Sequence, residues 1–133
     1  MTEYLFVYGT LQPGQSPEDI ASVVDELRPV GTGFIHGVLY DLGQYPAAVL
    51  DSSSKQKIHG TVFKLSSDPG LLKRLDEYEE FDPGSSEKSL FIRVPSKVTL
   101  TDGRSLNCWV YVYNRRLDSA RVLEGGRFEK RAV

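Results

Sequence analysis

LFIRVPSKVTLTDGRSLNCWVYVY, residues 90–113, reads as a β-hairpin, and that reading sets the class of the whole chain. From Leu90 to Leu100 apolar side chains fall on most of the even positions, the period of a strand with one face in a core. Asp102-Gly103 supplies the tight turn, since glycine enters the positive-φ region without steric cost. Leu106 to Tyr113 returns as a second strand, in which Val110 and Val112 alternate with Tyr111 and Tyr113. Strands joined directly by turns, with no helix between them, point away from a parallel α/β sheet and toward an antiparallel one.

Upstream the same pattern recurs. Tyr4-Leu5-Phe6-Val7-Tyr8 is a continuous aromatic and aliphatic run stopped by Gly9, the signature of a central strand buried on both faces. Ser16-Pro17-Glu18-Asp19 offers an N-cap hydroxyl, a first-turn proline and first-turn acids, and Ile20, Val23, Val24 and Leu27 follow at helical spacing, so a first helix is predicted to about Leu27. Pro29, Gly31 and Gly33 then punctuate the chain before three strand candidates, Phe34 to Leu42, Ala47 to Leu50 and Ile58 to Leu65, expected to form a meander. A second helix is expected from Asp68 to Glu80, with Pro69 at its first position and Asp82-Pro83-Gly84 beyond its end. The tail from Asn114 is charged and mixed, and Gly125-Gly126 breaks any regular element there. Six or seven strands and two or more helices predict an α+β fold, a small antiparallel β-barrel or strongly curved sheet flanked by helices, with residues 1–133 as one domain.

Composition narrows the function classes. Sixteen Lys and Arg against eighteen Asp and Glu give a net charge of -2, with no cationic tract to neutralise a run of phosphates, so nucleic acid is not an expected partner. No apolar run approaches the ~18 residues that span a bilayer and no leader-like segment opens the chain, so no membrane partner and a cytoplasmic location are expected. One cysteine, Cys108, precludes an internal disulfide, and with only His36 and His59 beside it no zinc-type cluster is expected. Cys108 sits in a strand pattern beside Trp109 and Val110 and reads as packing.

One side chain breaks the amphipathic pattern. On a 3.6-residue wheel Leu71, Leu72, Leu75 and Tyr78 form the apolar stripe of the second helix, and Glu79 falls inside it, one turn beyond Leu75. Lys73, Asp76, Glu77 and Glu80 fall on the flanks or the opposite face. Burial and the negative end of the helix dipole both disfavour a carboxylate's charge, pushing its pKa toward the range useful for proton transfer. Glu79 is therefore either a general acid/base or a structural partner of an arginine, and Arg93 on the next strand is available. Tyr8-Gly9-Thr10-Leu11, where a buried strand stops and the chain turns, leaves the amides of Gly9, Thr10 and Leu11 as donors for an anion or carbonyl oxygen. The loop lacks the Gly-Lys-Ser or Gly-Lys-Thr ending of a phosphate loop.

Four pieces, in order, carry a resemblance. They are Phe-Val-Tyr-Gly-Thr-Leu at Phe6 to Leu11, Gly-x-Leu-Tyr-Asp-Leu-Gly-x-Tyr-Pro-Ala at Gly37 to Ala47, Leu-Asp-x-Tyr-Glu at Leu75 to Glu79, and aromatic-x-Arg at Phe91 and Arg93. The chain resembles the γ-glutamylcyclotransferase-like superfamily, and within it the small branch of γ-glutamylamine cyclotransferase and AIG2-like proteins. The resemblance implies a compact barrel with helices around it, a cavity near one end, substrate binding by Tyr8, Gly9, Thr10 and Leu11, and Glu79 as the catalytic acid/base. Two positions depart from the motifs: Glu80 stands where glycine often follows the glutamate, and Phe91 where tyrosine commonly precedes the arginine.

The chemistry implied is intramolecular aminolysis of a small-molecule γ-glutamyl amine or γ-glutamyl amino acid. The substrate's α-amine attacks its own γ-carbonyl, closing 5-oxoproline and releasing the free amine, with no cofactor and no metal. Arg93 is a candidate clamp for the substrate's carboxylate, and Tyr111 and Tyr113, which share a strand face, are candidate hydroxyl donors. The alternative reading is a small-molecule-binding or interaction domain that keeps the pocket and turns nothing over.

Overall fold

The computed structural model describes residues 3–8, 27–42, 46–65, 70–79, 81–115, 120–123 and 125–126. The loop and first helix expected over residues 9–26, and the expected start of the second helix at Asp68 and Pro69, lie outside them. Seven strands are present among the described residues: β1 (Tyr4–Val7), β2 (Arg28–Asp41), β3 (Pro46–Leu50), β4 (Lys57–Lys64), β5 (Phe91–Leu100), β6 (Ser105–Tyr113) and β7 (Arg121–Val122). One α-helix, α1 (Leu71–Tyr78), and a 3-10 segment, Pro83–Lys88, lie between β4 and β5.

The strands close on themselves. Their order is β3-β2-β4-β1-β6-β5, and β5 pairs again with β2, so β2, β4, β1, β6 and β5 form a five-stranded barrel with β3 and β7 attached to the far half of β2. All pairings are antiparallel except that of β1 with β6, which run parallel at Leu5 and Trp109. The fold is α+β, a small antiparallel barrel flanked by helix, as the hairpin pattern predicted.

The 90–113 hairpin forms, with Val98 opposite Leu106 and Arg93 opposite Tyr111. At its turn Gly103 takes a φ of +94°, and the Asp102 carboxylate accepts the Arg104 amide at 3.0 Å. Ile92, Val94, Val98 and Leu100 alternate into one apolar cluster, while Phe91 joins another. Strand β1 and Tyr8 after it divide in the same way. Phe6 and Tyr8 pack inside the barrel with Ile35, Ile58, Val62, Val110 and Val112, whereas Leu5 and Val7 face outward against Leu71 and Leu75 of α1. A strand packed on both faces has to be apolar at every position, which is why this run does not alternate.

Three expectations are corrected. Strand β2 does not begin after the punctuation of Pro29, Gly31 and Gly33; it runs through all three. A register shift between Pro29 and Gly31 absorbs the proline, and Gly33 sits where β2 meets β5 to close the barrel. A Cβ on Gly33 would lie 2.6 Å from the Thr99 carbonyl oxygen, so this glycine marks a close strand crossing and not a turn. Strand β4 pairs with the first half of β2 rather than with β3, so the three strands are no simple meander. Part of the tail is ordered onto the barrel: β7 pairs with Tyr40 and Asp41, and the Gly126 carbonyl accepts the His59 amide at 2.8 Å. No helix among the described residues is long and apolar enough to cross a membrane.

Candidate active site

Helix α1 lies on the outer face of the barrel wall. Leu71 and Leu75 are fully buried against β1, β4 and β6, each contributing about 1.5–3 kcal/mol of apolar burial. Glu79 closes the helix as its C-cap, its amide bonded to the Leu75 carbonyl at 3.0 Å, and its side chain is half-buried. Its negative charge acts on the hydroxyls of both Tyr8 and Tyr111. Glu79 therefore lies within electrostatic reach of Tyr8, the residue that follows β1.

The two phenols are held by different partners. Tyr8 is buried, and its hydroxyl donates to the Tyr111 main-chain oxygen across the barrel wall. Burial raises its pKa well above 10.0, the Glu79 charge adds to that, and a hydrogen bond from the Ala48 amide works against them. Tyr111 is 4 % exposed and donates to Asp76 Oδ1 at 2.6 Å. Burial, then the hydrogen bond and charge of Asp76, then Glu79, push its pKa far up, so neither phenol ionises near neutrality.

Asp76 is what the helical wheel missed. Expected on a flank, it is 6 % exposed, and it rather than Glu79 takes Arg93. Arg93 Nε donates to Oδ1 at 2.9 Å and Nη2 to Oδ2 at 3.2 Å, a fork-on-fork pair, while the guanidinium lies over the Trp109 ring at 4.4 Å. Burial works against the arginine's charge, but the hydrogen bonds and charge of Asp76 more than offset it and hold the group firmly protonated. Asp76 is buried and Arg93 is part-buried, so removing the arginine leaves a carboxylate without its cation in a largely dry layer, a destabilising change. The helix buries more than its leucine stripe because the curved wall and Phe81 enclose its Leu72–Asp76 side as well. A groove of about 560 Å³ runs along that side, lined in part by Leu72, Asp76, Phe81, Pro83 and Arg93.

The structure thus brings Tyr8, Tyr111 and Glu79 together and gives Arg93 to a neighbouring carboxylate. Tyr113 shares the outward face with Tyr111 but packs edge-on against Phe91, ring centres 5.5 Å apart. Tyr111 and Tyr113 both belong to the packed layer under the helix. Gly9, Thr10, Leu11 and Glu80 lie outside the described residues. Cys108 is buried and its thiol is pushed up to about 11 by burial, in keeping with packing. His36 is exposed and its Nδ1 lies 3.1 Å from the Ser54 carbonyl oxygen.

The family model described as gamma-glutamyl cyclotransferase, AIG2-like, matches residues 5–130. The chain belongs to this family. Among curated proteins the chain is 37% identical over 113 residues to the gamma-L-glutamyl-butirosin B gamma-glutamyl cyclotransferase of Niallia circulans, covering 84% of this chain and 67% of that protein. Among solved structures it resembles an AIG2-like protein of Mus musculus, with a TM-score of 0.71 at 21% identity over 98% of this chain and 97% of that one. It also resembles YkqA of Bacillus subtilis, with a TM-score of 0.71 at 19% identity over 96% of this chain. The chain spans only 40% of YkqA's length. At those identities the two structures speak for the gamma-glutamyl cyclotransferase fold, and the sequence matches speak for the family.

Proposed function

We propose that the protein is a γ-glutamyl cyclotransferase acting on a γ-glutamyl amine or γ-glutamyl amino acid. The substrate's α-amine attacks its own γ-carbonyl, a C–N bond closes the five-membered lactam, and the γ-amide C–N bond breaks. One proton leaves the attacking nitrogen and one reaches the departing nitrogen, so the products are 5-oxoproline and the free amine, and the reaction balances without a cofactor. A single carboxylate serves both transfers, taking the first proton as a base and returning it as an acid. Glu79 is that carboxylate, and the amides of Gly9, Thr10 and Leu11 are the donors for the oxyanion.

The observation that carries the reading is the place of Glu79. It is half-buried at the end of α1 and close enough to the end of β1 for its charge to act on the Tyr8 hydroxyl, one residue from those amides. The N. circulans relative is named for γ-L-glutamyl-butirosin B, and from that name we carry over only the γ-glutamyl group, the part of the substrate that the chemistry requires. Arg93 leaves the list of substrate clamps in this reading, because Asp76 already holds two of its nitrogens.

The test is incubation with γ-glutamyl amines, γ-glutamyl dipeptides and glutathione, with 5-oxoproline followed by mass spectrometry. Glu79→Gln keeps the shape and removes the base, and turnover is expected to fall about 100- to 10,000-fold. An undiminished rate in that variant moves the proton transfers elsewhere. Calorimetric binding of the whole panel without 5-oxoproline release overturns the reading in favour of a binding domain.

A further inference from the structure

The groove beside α1, about 560 Å³, falls within the roughly 300–1,000 Å³ range of small-molecule sites. Leu72, Phe81 and Pro83 give it apolar walls, and none of Tyr8, Glu79 and Tyr111 lines it. Arg93 lines it as well. Asp76 holds Nε and Nη2, and the centres of the Trp109 and Phe81 rings lie 4.4 Å and 5.9 Å from the guanidinium carbon, so the planar group is fixed in orientation before any ligand arrives. Of the five N–H groups of a guanidinium, Asp76 takes two, and no other hydrogen bond engages Arg93 among the described residues. The side chain is only 16 % exposed, so the remaining donors meet little water, and an anionic acceptor brought by a ligand gains charge-assisted hydrogen bonds there.

The other charges around the groove decide the class of ligand. Asp76 already balances Arg93. What remains is Lys73 against Glu77 and Asp82, all three exposed, with Asp82 Oδ1 accepting the Gly84 amide at 2.9 Å. A plain carboxylate that reached Arg93 would meet that acidic excess, whereas an ammonium carried on the same molecule offsets it. We propose that the groove is a binding site for a free apolar α-amino acid: its carboxylate on the donors of Arg93 that Asp76 leaves, its ammonium toward Glu77 and Asp82, its side chain against Leu72, Phe81 and Pro83. Amino acids of this kind are also the leaving groups of γ-glutamyl amino acids, so the site gives the proposed enzyme a second point of contact with a product of that class. The binding itself uses no property of Glu79 and does not rest on the enzymatic reading.

Trp109 is the chain's one tryptophan and carries Arg93 over its ring, so its fluorescence reports on that guanidinium. Titration with L-leucine is expected to give a saturable change with a midpoint at or below about 1 mM. Isocaproate, which lacks the ammonium, isoamylamine, which lacks the carboxylate, and glycine, which lacks the side chain, are each expected to bind about tenfold more weakly or worse. The amide resonances of Leu72, Asp76 and Phe81 should shift with the leucine midpoint. Glu77→Lys, at an exposed position of the helix, is expected to weaken leucine about fivefold and to strengthen isocaproate, a change of preference that a loss of stability does not produce. Arg93→Gln is expected to abolish the response to both, and where that variant does not fold Glu77→Lys decides alone. The absence of a saturable response to leucine below about 10 mM overturns the proposal. So does an unchanged leucine-to-isocaproate ratio in Glu77→Lys, or a set of shifts confined to Tyr8 and Ala48, which places the amino acid in the catalytic region instead. No readout here uses 5-oxoproline release, so this site and the enzymatic reading succeed or fail separately.

Discussion

The barrel interior and the layer between the barrel and α1 are built from alternate residues of the same strands, yet they differ in kind. Inside are Ile35, Leu39, Ile58, Val62, Val98 and Val110, apolar and almost wholly buried. Under the helix, Leu5, Leu71 and Leu75 share the layer with Tyr111, and the Asp76–Arg93 pair joins it there, with Glu79 at its edge. One wall therefore separates a mostly apolar side, which Tyr8 alone of the described candidate site residues enters, from a side that also holds charge. Polar groups are tolerated in the second layer because each meets a partner across a helix and two strands; inside the barrel the Tyr8 hydroxyl is accommodated in the same way, by the Tyr111 carbonyl, and the side chains around it are otherwise apolar.

That contrast can be broken from either side. Glu79→Gln should give the largest effect on activity, the 100- to 10,000-fold loss already described, with the melting temperature nearly unchanged because the side chain is only half-buried. Ile58→Ala should do the reverse, lowering stability by about 2–5 kcal/mol in denaturant titrations through the cavity it leaves in a fully buried site. A variant at position 58 that abolished turnover while remaining fully folded would merge the two regions.

Alkaline titration probes both layers together. Tyr8 and Tyr111 are held above the ordinary phenol value of 10.0, so the folded state favours their protonated forms. Their contribution is fully present below pH 10 and is lost as pH rises past it, where unfolded chains release these protons and the folded chain does not. Cys108, pushed to about 11 from 9.0, adds a loss beginning one unit lower. Melting temperature should hold up to about pH 9 and then fall, and Tyr111→Phe should flatten the upper part of that fall. The smallest effect is expected at the hairpin turn. The Asp102–Arg104 pair is more than half exposed on both sides, so Asp102→Asn should leave the midpoint of the same titration almost unchanged.

Much of the layer could be read before any coordinates. The two strands and the Asp102-Gly103 turn were legible, and the ladder then sets Arg93 opposite Tyr111 and Phe91 opposite Tyr113. What could not be read is that Asp76 joins this pair. The wheel assigns faces relative to a single flat neighbour, and α1 instead lies against a wall that curves around it, so a residue about 100° from Leu75 is buried as well. The departure at Phe91 proves to be a packing position, its ring against Tyr113.

Local periodicity determined the strands, the hairpin, the double-sided burial of β1 and the odd placement of Glu79, because these depend on residues a few positions apart. Tertiary structure decided the barrel's closure at Gly33, the pairing of β4 with β2, and the choice of Asp76 over Glu79 as the partner of Arg93. Each of those joins segments distant in sequence, where the outcome is set by which backbones approach closely and which buried charges find each other, and no repeat along the chain encodes that.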